Sequence, residues 1–578
     1  MCITSISVAV GVKLDSMDSQ NFKPFESIGL CFSGGGYRAT FFALGTISYL
    51  NKVTYKNKSL LQNVEAVSTV SGGTLLGVAY AKAAQDSSRS FQSFFSEFYT
   101  TFDPANDVLL ETAVKKLEDD KVWEEHSYKK RSLINAFALT YAEMDLFSGS
   151  LGMFETCASE HVKHLCFNAT DFSFGLAFRF QNTGLFGNKP LSSKQVDAIK
   201  YEVQLGDIVA SSSCFPIGFE PLVFPDDYFK DHNSATYKAV KGLDRFIDGV
   251  GIMDGGIADN QGIGSMINIS EQKSRDRELD LIMVNDVGSY KMIPWQQDTT
   301  PVMKSSSLKR SIAKWLSYFG LKPLYWITLI IGLLMIILNS LEIFKGQAWT
   351  SLYIVGSVIA GVGLTLTITG IVLGVAKVFG LSGLKKFLKD NIPEPLLDDV
   401  MSFEKLGIDL LKRMLTDRLT SGEKMINDIF LKQIRRLNYK LLYTKESLKN
   451  KLITSTVYAL NGKKTPYSNN LNYNKDIKPS PSKLLQSVCL TASETPTTLW
   501  WDKKDIAKNR MDTLIACGQF TSCYQLMDYI LALKKDVKDP NFDWSSIDAL
   551  YEQLSAHWKA FNKDPLFMVE DYKKQIKL

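Results

Sequence analysis

VEAVSTVSGGTLLGVAY, residues Val64 to Tyr80, decides the fold. Its apolar, β-branched opening, Val64 to Val70, reads as a buried strand. It stops at Ser71-Gly72-Gly73 before small and apolar residues that suit a packed helix. A serine at such a strand-to-helix corner is a nucleophile elbow: the tight turn exposes the hydroxyl, and small neighbours let a substrate carbonyl approach. The following helix aims its N-terminal N–H groups and the positive end of its dipole at the place where an oxyanion would develop. The usual first glycine of G-x-S-x-G is Thr69 here.

Upstream, the apolar strand Ile28 to Phe32 runs into Ser33-Gly34-Gly35-Gly36-Tyr37-Arg38, and Ala39 to Leu50 has helical character. Three glycines between strand and helix leave successive N–H groups unobstructed, a cradle for an anion. A phosphate loop would need G-x-x-x-x-G-K-[ST], and a dinucleotide loop G-x-G-x-x-G; neither spacing is present. An oxyanion hole built from Gly34, Gly35, Gly36 and the elbow's Gly72 needs only adjacent donors, and the elbow follows after about one strand–helix–strand unit. Arg38 has three readings: an anchor for this loop, a contact for an anionic head group, or a surface salt bridge.

Downstream, Ala83 to Glu155 reads as mainly helical, with a charged stretch from Glu111 to Lys130 taken as a solvated face. Phe172 to Asn182 reads as a strand and Leu205 to Ser212 as a short helix leading to Pro216. Phe246 to Asp248 reads as a strand edge, and Leu279 to Val284 as another strand. Strands alternating with helices give an α/β domain with a mainly parallel sheet. A serine hydroxyl needs a base. With only five histidines in the chain, the carboxylate of Asp254, beside Gly255-Gly256 and ahead of Asp259-Asn260, is the better candidate, with Asp248-Gly249 its rival.

Gly34-Gly35-Gly36-Tyr37-Arg38, Thr69-Val70-Ser71-Gly72-Gly73 and Asp254-Gly255-Gly256, in that order, resemble the motifs of the patatin-like phospholipase family. The resemblance covers residues 25–290, returns weakly over 485–535, and extends to the Ala210 to Pro216 segment. It implies a three-layer sandwich, a catalytic Ser71–Asp254 dyad in place of a triad, no cofactor, and a membrane phospholipid as substrate. Thr69 and Ala39, which stands where a glycine often follows the arginine, depart from the pattern outside the dyad. The activity implied is that of a phospholipase A or lysophospholipase. An acyltransferase on the same acyl-enzyme, and a non-catalytic membrane scaffold of the same fold, are the alternatives.

Composition sets outer bounds. At 578 residues there is room for several domains, and a formal net charge of +5 is too small to argue for nucleic acid. The eight cysteines show no C-x-x-C spacing, which points to free thiols and no structural zinc. His161-x-x-His164 reads as a pair on a helix surface rather than as metal ligands.

Two uncharged runs follow, PLYWITLIIGLLMIILNSL from Pro323 to Leu341 and Gly346 to Ala376 with Gly370-x-x-x-Gly374. Their length and small residues predict a transmembrane hairpin, with spans of about 323–343 and 351–376 inside residues 322–380. Lys304, Lys309, Arg310, Lys314 and Lys322 before it, and Lys377, Lys385, Lys386 and Lys389 after it, place both flanks and the catalytic domain in the cytoplasm of an integral membrane protein facing anionic lipid. The domain plan is therefore an N-terminal extension over 1–24, a catalytic domain over 25–300, the hairpin, and a mainly helical region over 381–578. In that last region Pro395 to Lys449 is amphipathic with a basic patch at Lys432, Arg435, Arg436 and Lys440. Lys463 to Ser482 is a loop, and Thr495 to Leu533 is helical and a candidate to complete the catalytic domain. A homo-oligomer and an activating ligand or partner are left open by the sequence.

Overall fold

A computed structural model of the chain describes residues 22–155, 159, 161–188, 191, 193–216, 218–272, 278–288, 295–296, 323–340, 353–369, 408–463, 473–537, 539 and 542–576. The chain divides into two compact units, Met1–Met292 with Asp428–Leu578, and Ile293–Asn427. The first unit is built on an eight-stranded sheet. Its strands are β1 (Ile28–Phe32), β2 (Val64–Val70), β3 (His164–Asp171), β4 (Leu176–Gln181), β5 (Leu222–Phe224), β6 (Val250–Asp254), β7 (Leu281–Asp286) and β8 (Leu452–Thr456). The order is β8-β7-β1-β2-β3-β6-β5, with β4 paired to β3. From β8 to β3 all neighbours are parallel; β4, β5 and β6 are joined antiparallel.

One detail of register places the site. β2 pairs with His164 to Asn168 of β3, and β6 takes over the same edge at Ala169 to Asp171, running the opposite way. With β4 holding the other edge of β3, the end of β2 and the end of β6 must meet. Val70–Ser71 and Asp254–Gly255 thus arrive together from strands far apart in the chain, and a Cβ on Gly255 would stand 3.1 Å from Val70 Cγ1.

Alternation along the strands makes two cores. Leu30, Phe32, Val67, Leu165, Phe167, Leu281 and Met283 face one side. Cys31, Ala66, Cys166, Ile282 and Val284 face the other, against α4 (Ile263–Ser270) and α5 (Leu431–Thr444). On the first side lie α1 (Gly36–Lys52), α2 (Gly72–Ala83), α3 (Leu205–Ser212) and α6 (Lys483–Ser493). The long α7 (Arg510–Asp536) and α8 (Trp544–Lys563) complete it. Helix, sheet and helix form three layers, and β8 and α7, which follow the second unit in sequence, are built into the sheet and its main core.

The membrane hairpin does not stand. Among the described residues no helix is long and apolar enough to cross a membrane. The first run forms a helix over Pro323–Ser340. Its 18 residues rise about 27 Å, short of a ~30 Å hydrocarbon core. The second forms a shorter helix over 353–369. The two pack closely within their unit: a Cβ on Gly332 would stand 2.3 Å from the Ala360 nitrogen, and one on Gly363 2.5 Å from that of Leu329. Gly370 and Gly374, read as a lipid-embedded interface, lie outside the described residues. An integral membrane location with cytoplasmic flanks falls with the hairpin. The basic flanks on either side of it, residues 1–21 and residues 464–472 lie outside the described residues.

Smaller readings change too. Phe172 to Asn182 is a turn followed by β4, and His164 opens β3, so the histidine pair is not on a helix. Phe246 to Asp248 is turn, with the strand beginning at Val250. Lys129, assigned to a solvated face, is buried and pairs with Asp207 at 2.8 Å. Arg435, counted in a basic patch, is likewise drawn inward and pairs with Asp286 at 2.6 Å. The helix expected over Thr495 to Leu533 is a loop, a short helix Lys503–Ala507, and α7. Six of the cysteines, Cys31, Cys166, Cys214, Cys489, Cys517 and Cys523, are buried free thiols.

Candidate active site

Ser71 follows β2 at φ 52° and ψ −124°, a conformation that a residue with a side chain keeps only when its surroundings enforce it. Here the enforcement is hydrogen bonding. The Ser71 N–H donates to Ser212 Oγ at 2.8 Å, and its carbonyl accepts the Thr74 N–H at 2.7 Å. Ser212, at the end of α3, donates to the Asn168 carbonyl at 2.6 Å and lies 2.8 Å from Thr74 Oγ1. Thr74 Oγ1 in turn lies 2.9 Å from Thr69 Oγ1. The departure at Thr69 therefore adds a hydroxyl to the chain that braces the elbow.

The room that a glycine at 69 would have left is supplied from the helix. A Cβ on Gly77 would meet Thr69 Cγ2 at 2.5 Å. Gly77→Ala should lower the unfolding midpoint by an amount corresponding to about 1–3 kcal/mol, the usual cost of overpacking. Thr69→Ser, which deletes that methyl and keeps the hydroxyl, should recover most of the loss in the double variant. Equal losses with and without Thr69→Ser in a denaturant-melt cycle would show that the two sites do not share this space.

The glycine loop lies directly on the elbow. A Cβ on Gly72 would fall 2.0 Å from the Gly36 carbonyl oxygen, and one on Gly34 would fall 3.1 Å from Ser71 Cβ. Thr40 Oγ1, one turn into α1, lies 2.7 Å from the Gly72 carbonyl and 3.1 Å from that of Gly36, donating to one at a time. The four glycines read as oxyanion donors are not equivalent. The Gly34 N–H is already given to the Asn260 carbonyl at 2.9 Å, which removes it from that role. Among the described residues no acceptor takes the N–H of Gly35, Gly36 or Gly72.

Asp254 ends β6. Its N–H donates to the Cys214 carbonyl at 2.8 Å, its carbonyl accepts Thr170 Oγ1 at 2.8 Å, and its Oδ1 accepts the Gly256 N–H at 2.7 Å. Burial pushes this carboxyl up to about 6, against the opposing pull of the Gly256 N–H and the Ser71 hydroxyl. The Ser71 hydroxyl thus bears on the carboxyl without closing a regular hydrogen bond, a looseness common in catalytic pairs before substrate arrives. Asp248, the rival, is exposed.

Arg38 is an anchor. Its Nη1 donates to the carbonyls of Thr495 and Ser493 at 3.0 and 3.4 Å, and the adjacent Tyr37 N–H donates to Thr498 at 2.8 Å. Burial lowers its pKa to about 10, partly offset by Asp286. The segment after α6 is thereby fastened across the start of α1.

Sequence reading missed Ser212, Thr74 and Asn168, which hold the elbow; each is a polar residue inside or at the end of an apolar element, and that displacement was the available signal. The sequence does place Asn260 behind Asp254, but its backbone carbonyl, which ties the Asp254 loop to the glycine loop, leaves no mark there. Among the described residues no group of histidines, cysteines and carboxylates is arranged to hold a metal.

Residues 30–267 match the family model of patatin-like phospholipase. No curated protein matches the chain. The span from β1 into α4 is a patatin-like phospholipase domain, and the chain is a lipid acyl hydrolase. β7, α5, β8, α6 and α7 lie beyond the match.

Proposed function

We propose that the chain cleaves acyl esters of glycerophospholipids through a Ser71–Asp254 dyad. The observation that carries this reading is a buried carboxyl, raised to about 6, opposite a serine held in an elbow. Ser71 Oγ attacks the acyl carbonyl carbon while Asp254 accepts the hydroxyl proton. The oxyanion is met by the N–H groups of Gly35 and Gly36 from the loop and Gly72 from the start of α2. Collapse of the intermediate releases the alcohol, which takes the proton from Asp254 and leaves an acyl-serine. Water, deprotonated by the same carboxylate, then hydrolyses it.

A carboxylate titrating near 6 is a base matched to neutral pH. The acylation rate, read as kcat/KM on a soluble acyl ester or a phospholipid vesicle, should rise with pH through about 6 and level above it. A rise centred near 4 would mean that the base is a carboxyl without this burial. Acyl release from mixed phospholipid vesicles, with product analysis, tests the substrate class directly: free fatty acid and lysophospholipid support it. Release from soluble esters but never from phospholipid would assign another ester.

A further inference from the structure

Helix α5 lies outside the matched domain, yet its polar face ends on two buried carboxylates of the site's framework. Arg435, Asn438 and Tyr439 stand at i, i+3 and i+4, on one face. Asn438 Nδ2 donates to Asp259 Oδ1 at 3.0 Å. Asp259 is the residue around which the Asp254 loop is folded. Its Oδ2 accepts the Gly264 N–H at 2.6 Å, its Oδ1 the Gln261 N–H at 3.2 Å, and its own N–H returns to the Gly255 carbonyl at 2.9 Å. Arg435 Nε and Tyr439 Oη donate to Asp286 Oδ2 at 2.6 and 2.7 Å.

Asp286 sits at the turn that pins the other half of the site. On one side of it the Asn285 carbonyl accepts the Ser33 N–H at 3.0 Å, and on the other the Val287 N–H donates to Ser33 Oγ at 3.0 Å. Val287 Cγ2 also fills the space where Gly35 would carry a Cβ, 2.5 Å away. Gln261 Nε2, from the Asp254 loop, reaches the same Asp286 oxygen at 3.4 Å. The base loop and the glycine loop are thus both attached to α5, at Asp259 and at Asp286.

We propose that Asn438 and Tyr439 of α5 are positioning residues that fix the Asp254 loop against the glycine loop, so that dyad geometry depends on a helix outside the matched domain. This rests on the Ser71–Asp254 reading. Packing alone would be served by an apolar face; donors aimed at Asp259 and Asp286 fix the backbone that carries Asp254, Gly35 and Gly36. Losing a donor leaves substrate contacts in place but lets base and oxyanion donors drift, which lowers kcat more than it changes KM.

The test uses the full chain and four proteins: wild type, Ser71→Ala, Asn438→Leu and Tyr439→Phe. Each is measured for kcat and KM on phospholipid vesicles, for the rate of covalent labelling by a fluorophosphonate, and for its denaturant midpoint. Asn438→Leu and Tyr439→Phe should each lower kcat about tenfold with KM within about twofold, and slow labelling by a similar factor. Wild-type kcat and labelling in both folded variants would overturn the proposal, as would losses that only track the fall in midpoint. If Asn438→Leu does not fold, Tyr439→Phe, which deletes one hydroxyl at nearly constant volume, decides by the same criteria. Ser71→Ala separates the premises: activity and labelling retained there would refute the dyad itself, whatever the α5 variants do.

Discussion

Ser71→Ala should abolish acyl release and Asp254→Asn should lower it by about 10²–10⁴-fold, because in the proposed dyad one removes the nucleophile and the other the base that takes its proton. The second variant carries a further signature. The Asp254 carboxyl titrates near 6 in the folded protein, above its ordinary 3.8. The folded state therefore binds the extra proton between about pH 4 and 6. The stability that this protonation confers is fully present below the unfolded value and lost as pH rises through the folded one. Above pH 6 wild type holds a buried carboxylate that Asp254→Asn replaces with a neutral group of the same shape, whose Oδ1 still accepts the Gly256 N–H. The inactive variant should then be the more stable protein at pH 8, by up to about 3 kcal/mol, and lose that advantage below about pH 4. Denaturant midpoints at the two pH values check it. A variant that is inactive but equally stable at both would place the carboxyl in an ordinary solvated setting.

The catalytic half of this chain was legible because its chemistry is local. A β-branched run that stops at Ser71-Gly72-Gly73 has few alternatives to a strand and a tight turn, and the structure sets β2 and α2 at those boundaries. What could not be read is what depends on distant segments. Nothing near Ser71 in sequence announces Ser212, yet Ser212 receives its N–H. Gly34 looked like its neighbours Gly35 and Gly36, and only the folded chain shows its N–H spent on Asn260. The two uncharged runs misled because hydropathy reports what a segment avoids, which is water, and not what covers it. Gly332 and Gly363 are small so that one helix can lie on the other. The same blindness misplaced one face of α5, a helix that the amphipathic pattern did announce: Arg435 reads as a surface charge, yet it pairs with the buried Asp286.

The long-range half is tested most sharply where α1 meets α7. A Cβ on Gly518 would stand 2.1 Å from the Phe42 carbonyl oxygen, and one on Gly45 2.1 Å from that of Ile515, so the two helices touch backbone to backbone. The crossing is bordered by polar links: Gln519 Nε2 to Ser48 Oγ at 3.0 Å, Ser522 Oγ to Thr46 Oγ1 at 3.1 Å, and Thr46 Oγ1 onward to Asn285 Oδ1 at 2.8 Å. Glycine inside an exposed helix costs about 1 kcal/mol relative to alanine, so Gly→Ala ordinarily stabilises. At Gly518 the sign must reverse, because a backbone carbonyl cannot swing aside as a side chain does. Gly518→Ala should destabilise by about 3 kcal/mol, the upper part of the overpacking range. Gly422→Ala, in a helix where the new Cβ meets nothing within 4 Å, should be neutral or slightly stabilising. Activity should fall with Gly518→Ala as well. α1 begins at Gly36 and carries Thr40, which holds the Gly72 carbonyl, so an axis displaced at Gly45 moves the N–H groups proposed to meet the oxyanion. A Gly518→Ala protein with wild-type midpoint and wild-type turnover would mean that α7 is an accessory to the domain and not part of its core.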